Sequence, residues 1–287
     1  MTDTVHRWMR HHPVLAFVLA TLGWSFGIDA VVYAAWGASP PMLLLLPRAW
    51  GPLVGAVVVT YVVGDSVRAL LGQVTNWRIS PLWYVLAVAF PLLAGEAEVL
   101  IQAVAGLPVR FSPPSLMNYV VGLAVVLFLA GGLEEFGWRG FAQPRLQRSY
   151  SATLSAAGIG ILWGLWHLPL FFVFDLGVFD PSTLHWYVLG TIGQSIVYAW
   201  FYNESGGCLL IPMIAHAVHN QAGLFETPVE VSGIVARAST AAPFVAEAIL
   251  AGCVVLVGGY QVLCRSDRNP VVVGVPGTSG PDRRNTQ

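Results

Sequence analysis

The sequence has no lysine and little charge of either sign. Of its 287 residues only 10% are charged, whereas 56% are hydrophobic, and the mean hydropathy is +0.67. A soluble domain of this length has too little interior to bury so much apolar surface, and disordered chains have far fewer apolar residues. The composition therefore predicts a protein that lies in a lipid bilayer. The net charge of -1 gives no reason to expect a nucleic-acid partner.

Cysteine is also scarce. Cys208, Cys253 and Cys264 are odd in number and have no CxxC spacing. This excludes the disulfide scaffolds of small secreted domains and makes a thiolate metal site improbable. We expect the three cysteines to be small packing residues.

Long apolar runs are abundant. The hydrocarbon core of a bilayer needs about 20 apolar residues per helix, and eight runs approach that length. They predict an all-α, polytopic integral membrane protein with about eight transmembrane helices. The runs are 14–35, 42–64, 81–104, 117–138, 152–174, 184–203, 207–225 and 240–263.

The flanking segments suggest an orientation. Residues 1–13 are predicted to be a cytoplasmic N-terminal segment, 14–263 a transmembrane domain, and 264–287 a disordered tail rich in glycine, proline and arginine. No small-residue cleavage site follows the basic start, so the first run is expected to be retained. Most arginines fall in segments on the same side as the N-terminus, which predicts a cytoplasmic N-terminus in the inner (plasma) membrane.

The fourth run contains three charged residues, Glu134, Glu135 and Arg139. Each charge at the centre of a span costs about 2.5–3.5 kcal/mol, so these side chains must face protein or a wet cavity. At 100° per residue, Glu135 and Arg139 lie 40° apart on a helix, which favours an ion pair. Glu134 points about 140° away from Arg139. A structural ion network explains the pair, whereas a buried carboxylate without a cation is typical of proton-transfer sites.

The fifth and seventh runs each contain histidine. Trp163 precedes His167 by one turn, and a histidine among tryptophans is equally often a packing residue. His216 and Asn220 share one helix face and can both donate hydrogen bonds, which suits an oxyanion site. The alternative for His216 and Asn220 is an interhelical hydrogen-bond pair, worth about 0.6 kcal/mol.

Together these motifs resemble those of the CPBP family of intramembrane proteases, also called the type II CAAX prenyl protease or Abi family. The resemblance covers roughly residues 45–225, with a motif core at 117–225. It implies an eight-helix fold with an intramembrane polar cavity that opens toward the cytoplasm. The matches are EExxxR at Glu134, Glu135 and Arg139, within the EEFGWRG string common in bacterial members; FxxxH at His167, with Trp163 replacing phenylalanine; and HxxxN at His216 and Asn220.

The resemblance implies an endopeptidase that hydrolyses a peptide bond. We expect Glu134, with help from His167, to activate a water, and His216 with Asn220 to hold the oxyanion. Glu135 and Arg139 would support the cavity floor. Zinc ligated by Glu134, His167 and His216 is the alternative, but no HExxH helix exists, so we favour chemistry without a cofactor.

The expected partners are the bilayer and a peptide or lipid-anchored protein substrate. Eukaryotic relatives trim prenylated CAAX termini, whereas some bacterial relatives are linked to self-immunity or peptide maturation. A non-enzymatic immunity or scaffold protein that binds a peptide is therefore an alternative. An ion-coupled transporter would use the additional intramembrane acids Asp29, Glu96, Glu98 and Glu247, although Asp29 and Glu247 are more simply explained as capping or snorkelling groups.

Overall fold

The structure, a computed structural model, describes residues 2–221 and 223–264. The predicted disordered tail therefore lies outside the described residues, apart from its first position, Cys264. Helices account for nearly all the regular structure of the described part. The α-helices are α1 Thr2–His11, α2 Pro13–Trp36, α3 Gly51–Val63, α4 Val67–Gly72, α5 Pro81–Gly95, α6 Ala97–Val104, α7 Leu116–Leu129, α8 Gly131–Gly137, α9 Gln143–Leu146, α10 Ala152–Trp166, α11 Leu168–Phe172, α12 Leu184–Glu204, α13 Leu210–His219 and α14 Gly233–Gly258.

Shorter elements connect these helices. Three segments form 3-10 helices, one segment forms a π-helical turn, and two strands pair with each other. The 3-10 segments are Met42–Trp50, Gln73–Thr75 and Pro181–Thr183, the π-helical turn is Trp138–Ala142, and the strands are β1 Arg110–Phe111 and β2 Phe225–Glu226.

The fold is a polytopic all-α membrane protein, as the sequence predicts. Helix α12 packs between α10 and α14, and α2 packs along α3. Large apolar side chains cover the outer surface. Helix α7, for example, has no buried residue, and Leu116 and Leu256 are 79% and 87% exposed. A surface of this kind is stable in lipid rather than in water.

All eight predicted runs contain helix. By length and composition, five helical segments of the described part can cross a membrane: Pro13–Trp36, Met42–Val63, Leu116–Leu146, Ala152–Phe172 and Gly233–Gly258. A sixth would be the pair α5 and α6, which is bent by 43°. The last helix begins seven residues before the predicted run 240–263.

Helices α12 and α13 do not meet the same test. Helix α12 has 21 residues but a lower hydropathy, and α13 has only ten residues. At 1.5 Å per residue, α13 is about 15 Å long, half the thickness of a hydrocarbon core. The count of eight crossings therefore stays a prediction.

The fourth run is not one regular helix. Helix α7 ends at Leu129, and Ala130 has φ -137° and ψ -118°, which breaks the chain direction before α8. Glycines at 131 and 132 follow the break, and a Cβ at Gly132 would collide with the Leu127 carbonyl. Helix α8 then passes into the π-helical turn, a feature often found at functional sites. The charged motif therefore lies on a short, irregular segment.

Candidate active site

The acidic pair lies on α8, deep inside the protein. Glu134 is 5% exposed and Glu135 is fully buried. Arg139, in the π-helical turn, lies 3.2 Å from the Glu135 carboxylate, so the ion pair predicted from the i,i+4 spacing is present. The Arg139 guanidinium also stacks over the rings of Trp163 and Tyr198. Burial against two aromatic faces strengthens this pair relative to an exposed one.

Glu134 has a different environment. Its Oε2 atom accepts hydrogen bonds from two indole nitrogens, Trp163 Nε1 at 2.9 Å and Trp138 Nε1 at 3.4 Å. Both donors are neutral, so no cation is paired with this carboxylate through a direct hydrogen bond in the described residues. The two neighbouring acids are thus distinguished by their partners, as their angular positions on a helix predict.

His216, on α13, joins the same cluster. Its Nδ1 lies 2.8 Å from Glu135 Oε1, so Glu135 is placed between Arg139 and His216. A carboxylate oxygen accepts, and Nδ1 therefore carries the proton. The opposite nitrogen, Nε2, faces the α7–α8 break, since a Cβ at Gly131 would lie 2.5 Å from it.

His167 follows the last residue of α10. Its Nδ1 lies 2.9 Å from the Trp163 carbonyl oxygen, which can only accept, so Nδ1 is the donor and Nε2 is the acceptor. The imidazole is surrounded by aromatic rings. Its centroid lies 4.7 Å from the ring centroid of Trp166 and 5.1 Å from that of Tyr187. Pro169 lies in the first turn of α11, which begins directly after His167.

Trp163 connects the three motifs. Its indole donates to Glu134, its ring centroid is 5.0 Å from that of His216, and it lies 6.4 Å from that of His167. Side chains that are far apart in the sequence therefore form one cluster. Glu134, His167 and His216 are each at most 9% exposed, so the expected polar cavity is a nearly closed site here.

Asn220 lies outside this buried cluster. It follows α13 directly, its backbone N–H donates to the His216 carbonyl at 3.3 Å, and its side chain is exposed. The structure therefore places Asn220 one turn beyond His216, at the rim of the site.

The sequence analysis missed a second buried ion pair next to the site. Asp29 on α2 and Arg48 in the first 3-10 helix are 4% and 3% exposed, and Arg48 Nε lies 2.9 Å from Asp29 Oδ1. The expectation that Asp29 caps a helix or snorkels is therefore wrong. The signal was available, because one acid and one arginine in adjacent apolar runs are costly unless they pair.

A separate polar cluster also differs from expectation. Glu247 on α14 does not snorkel but is 4% exposed, and Gln194 Nε2 donates to its Oε1 at 2.6 Å. His219 Nδ1 lies 3.3 Å from the same carboxylate. Glu96 is likewise partly buried, and it accepts the backbone N–H of Leu224. Glu247 therefore joins α14 to α12, and Glu96 joins the end of α5 to the segment after α13.

The zinc alternative requires Glu134, His167 and His216 as ligands of one ion. Within residues 2–221 and 223–264, no three His, Cys, Asp or Glu side chains are grouped as metal ligands. In each histidine Nδ1 is bonded to protein, His167 to a carbonyl and His216 to Glu135, and Nε2 is left for another partner.

Comparisons with known proteins cover the motif-bearing segment. Residues 116–222 match the family model described as type II CAAX prenyl endopeptidase Rce1-like. Over 107 residues the chain is 33% identical to the CAAX prenyl protease 2 of Methanococcus maripaludis. The aligned segment covers 35% of this chain and 39% of that relative. The chain therefore spans about two fifths of the curated relative that it matches. The matched family segment runs from α7 to just beyond α13 and includes all seven motif residues.

Proposed function

We propose that this chain, whose residues 116–222 belong to the Rce1-like type II CAAX prenyl endopeptidases, is an intramembrane endopeptidase. It hydrolyses a peptide bond of a membrane-associated substrate with a water activated by Glu134 and His167. The observation that carries the proposal is the contact cluster around Trp163, in which an acid and two imidazoles from three separate segments each contact the same indole.

Water activation follows from the partners of Glu134 and His167. Glu134 has hydrogen bonds from neutral donors only, so its carboxylate remains available as a general base. His167 offers Nε2 as an acceptor because Nδ1 donates to the Trp163 carbonyl. A water held between them gives one proton to Glu134, and its oxygen attacks the scissile carbonyl carbon.

The tetrahedral oxyanion then needs donors. His216 Nδ1 donates to the Glu135 carboxylate. When Nε2 is protonated as well, its N–H donates to the oxyanion, and the carboxylate balances the charge of the imidazolium. Asn220, at the rim, supplies an amide N–H to the same oxygen. The proton on Glu134 passes to the leaving nitrogen, which breaks the C–N bond and regenerates the carboxylate. Arg139 fixes Glu135 for its role beside His216.

We further propose that no metal takes part and that the N-terminus is cytoplasmic. The substrate is a lipid-anchored or membrane-proximal peptide, in keeping with the prenyl protease named among the relatives. The test of the metal proposal is elemental analysis of detergent-purified protein together with cleavage in chelator. Stoichiometric zinc with chelator-sensitive cleavage would contradict it.

The test of the function is Glu134→Gln, which keeps the shape of the side chain and removes the base. The control is Glu98→Gln, an exposed acid on α6 whose carboxylate accepts a hydrogen bond from Gln102. The measurement is a comparison of newly formed peptide termini in cells that carry each variant. We expect termini made by the native protein to disappear with Glu134→Gln and to remain with Glu98→Gln. If they persist in the Glu134 variant, the proposal fails.

A further inference from the structure

The Asp29–Arg48 ion pair lies beside the site but outside the matched segment. Arg48 Nε donates to both oxygens of Asp29, at 2.9 and 3.2 Å. The backbone carbonyl of Arg48 accepts the hydroxyl of Ser25 at 2.8 Å, which fixes the 3-10 helix against α2. The guanidinium is therefore held in one position by α2 while its other nitrogens point toward the end of α10.

Arg48 contacts Trp166 in two ways. Its Nη2 donates to the Trp166 carbonyl oxygen at 3.0 Å, and its guanidinium stacks on the Trp166 ring at 4.3 Å. This carbonyl has lost its helical donor, because the N–H of Leu170 donates to the His167 carbonyl instead. An arginine that satisfies a free carbonyl at a helix C-terminus stabilises that end of the helix.

The ring of Trp166 has no other polar anchor. Its Nε1 is buried without a hydrogen-bond partner among the described residues. The orientation of this indole is therefore set by packing and by the guanidinium above it. Because Trp166 is the residue before His167, the hydrogen bond from Arg48 to its carbonyl holds the backbone that carries the imidazole.

Trp166 contacts His167 directly and is linked to Glu134 through Trp138. Its ring centroid is 4.7 Å from that of His167 and 6.3 Å from that of Trp138. Trp138 in turn donates to Glu134.

We propose that Arg48, held by Asp29, is a positioning residue that uses Trp166 to fix His167 and Glu134 for water activation. It touches neither the substrate nor the reacting atoms. The expected effect of Arg48 on kcat rests on the proposed function. Its expected effect on the position of His167 does not. The inference also gives α2 and the first 3-10 helix a role in the chemistry of the matched segment.

The kinetic arm of the test uses Arg48→Lys and Asp29→Asn. A lysine keeps the charge but, as a single ammonium, cannot reproduce the planar fork that joins Asp29, the Trp166 carbonyl and its ring. We expect kcat to fall by about tenfold with KM nearly unchanged, the pattern of a lost transition-state interaction. The matched control is Arg145→Lys, since Arg145 also pairs with an acid, Asp65 at 2.6 Å, and stacks on the ring of Phe141 rather than on that of Trp166.

The second arm measures the His167 side chain directly. Ring-labelled histidine NMR in detergent reports which nitrogen carries the proton, and the His167→Gln variant assigns the signal. We expect the Nδ1–H form in the native protein, an altered His167 signal in Arg48→Lys and Asp29→Asn, and the native signal in Arg145→Lys.

The two arms separate the possible failures. Unchanged kcat and unchanged His167 signals in the Arg48 and Asp29 variants would overturn the inference. A loss of kcat with an unchanged His167 signal would also overturn it, because the residue would then act by another route. A changed His167 signal in a protein that cleaves nothing would support positioning and refute the proposed function.

Discussion

Glu134 and Glu135 are adjacent in sequence yet have different partners. Glu135 contacts one guanidinium and one imidazole, whereas Glu134 contacts two indoles. Neighbouring acids with unequal environments are a common way for enzymes to divide the roles of base and structural support. The difference arises because consecutive residues of a helix point about 100° apart.

The hydrogen bond from Trp163 to Glu134 is predicted to be important for activity. Trp163→Phe keeps an aromatic ring but removes the N–H donor, and a hydrogen bond to a charged group is worth about 1.5–3 kcal/mol. We expect a loss of stability of that size, measured by thermal unfolding in detergent. We also expect kcat to fall by about tenfold, because Glu134 is less well oriented.

Trp200→Phe is the matched control for that substitution. Trp200 is 6% exposed, and its Nε1 has no hydrogen-bond partner among the described residues. The same change in volume therefore removes no hydrogen bond. Equal losses of stability and activity in the two variants would show that ring volume, rather than the N–H donor, is what matters.

Some residue contacts follow from the sequence and others do not. The Glu135–Arg139 pair follows from a spacing of four on a helix. The Glu135–His216 contact spans 81 residues, and only tertiary packing brings its members together. The motif resemblance predicted that these residues share a site, but it did not predict which atoms meet or that Asn220 lies at the rim.

Among the elements, α8 shows most clearly what sequence patterns miss. The length of an apolar run predicts that a helix exists, and all eight runs contain helix. The break at Ala130 and the π-helical turn carry no periodic signal, because both depend on packing against other helices. Gly137, for example, packs against the backbone of Pro52 on α3.

The start of α8 is predicted to tolerate no side chain at Gly131. In Gly131→Ala the new Cβ would lie 2.5 Å from His216 Nε2, closer than van der Waals contact allows. The imidazole must then move, which weakens its hydrogen bond to Glu135. We expect kcat to fall by about tenfold or more, measured in the cleavage assay.

Gly158→Ala, within α10, is the control for this effect. A Cβ there meets nothing within 4 Å. Alanine is favoured over glycine inside a helix by about 1 kcal/mol, so this variant should be at least as stable as the native protein and fully active. If Gly131→Ala were equally active, the close approach of His216 to α8 would not matter for catalysis.

Across the whole molecule, contacts between connecting segments form two groups. The segments that follow the first, third, fifth and seventh apolar runs form the odd group, and those that follow the second, fourth and sixth runs form the even group. The contacts between connecting segments described below join members of the same group. The odd group includes the β1–β2 pair, in which a hydrogen bond from Arg110 lowers the pKa of the exposed Glu226 carboxyl. In the odd group, the Asp175 N–H donates to the Ala38 carbonyl, and Arg110 pairs with Glu226. In the even group, Arg145 pairs with Asp65, and the Leu209 N–H donates to the Gln73 carbonyl.

This grouping is the one that eight alternating crossings require. Helix α12 joins the odd-group segment at Asp175 to the even-group segment at Leu209, although its hydropathy is modest. Helix α13 joins Leu209 to the odd-group strand β2, although α13 is short. These contacts are the ones expected for eight crossings, a count that stays a prediction.

Labelling of single cysteines from either side of oriented vesicles tests this topology. After the three native cysteines are replaced by alanine, Tyr150→Cys reports the even group, and Arg110→Cys and Glu226→Cys report the odd group. Replacing one member of the exposed Arg110–Glu226 pair should cost little stability. We expect an impermeant maleimide to label Tyr150→Cys from the cytoplasmic side and the other two from the opposite side. Labelling of Glu226→Cys from the same side as Tyr150→Cys would mean that one of α12 and α13 does not cross, and the predicted count of eight would be wrong.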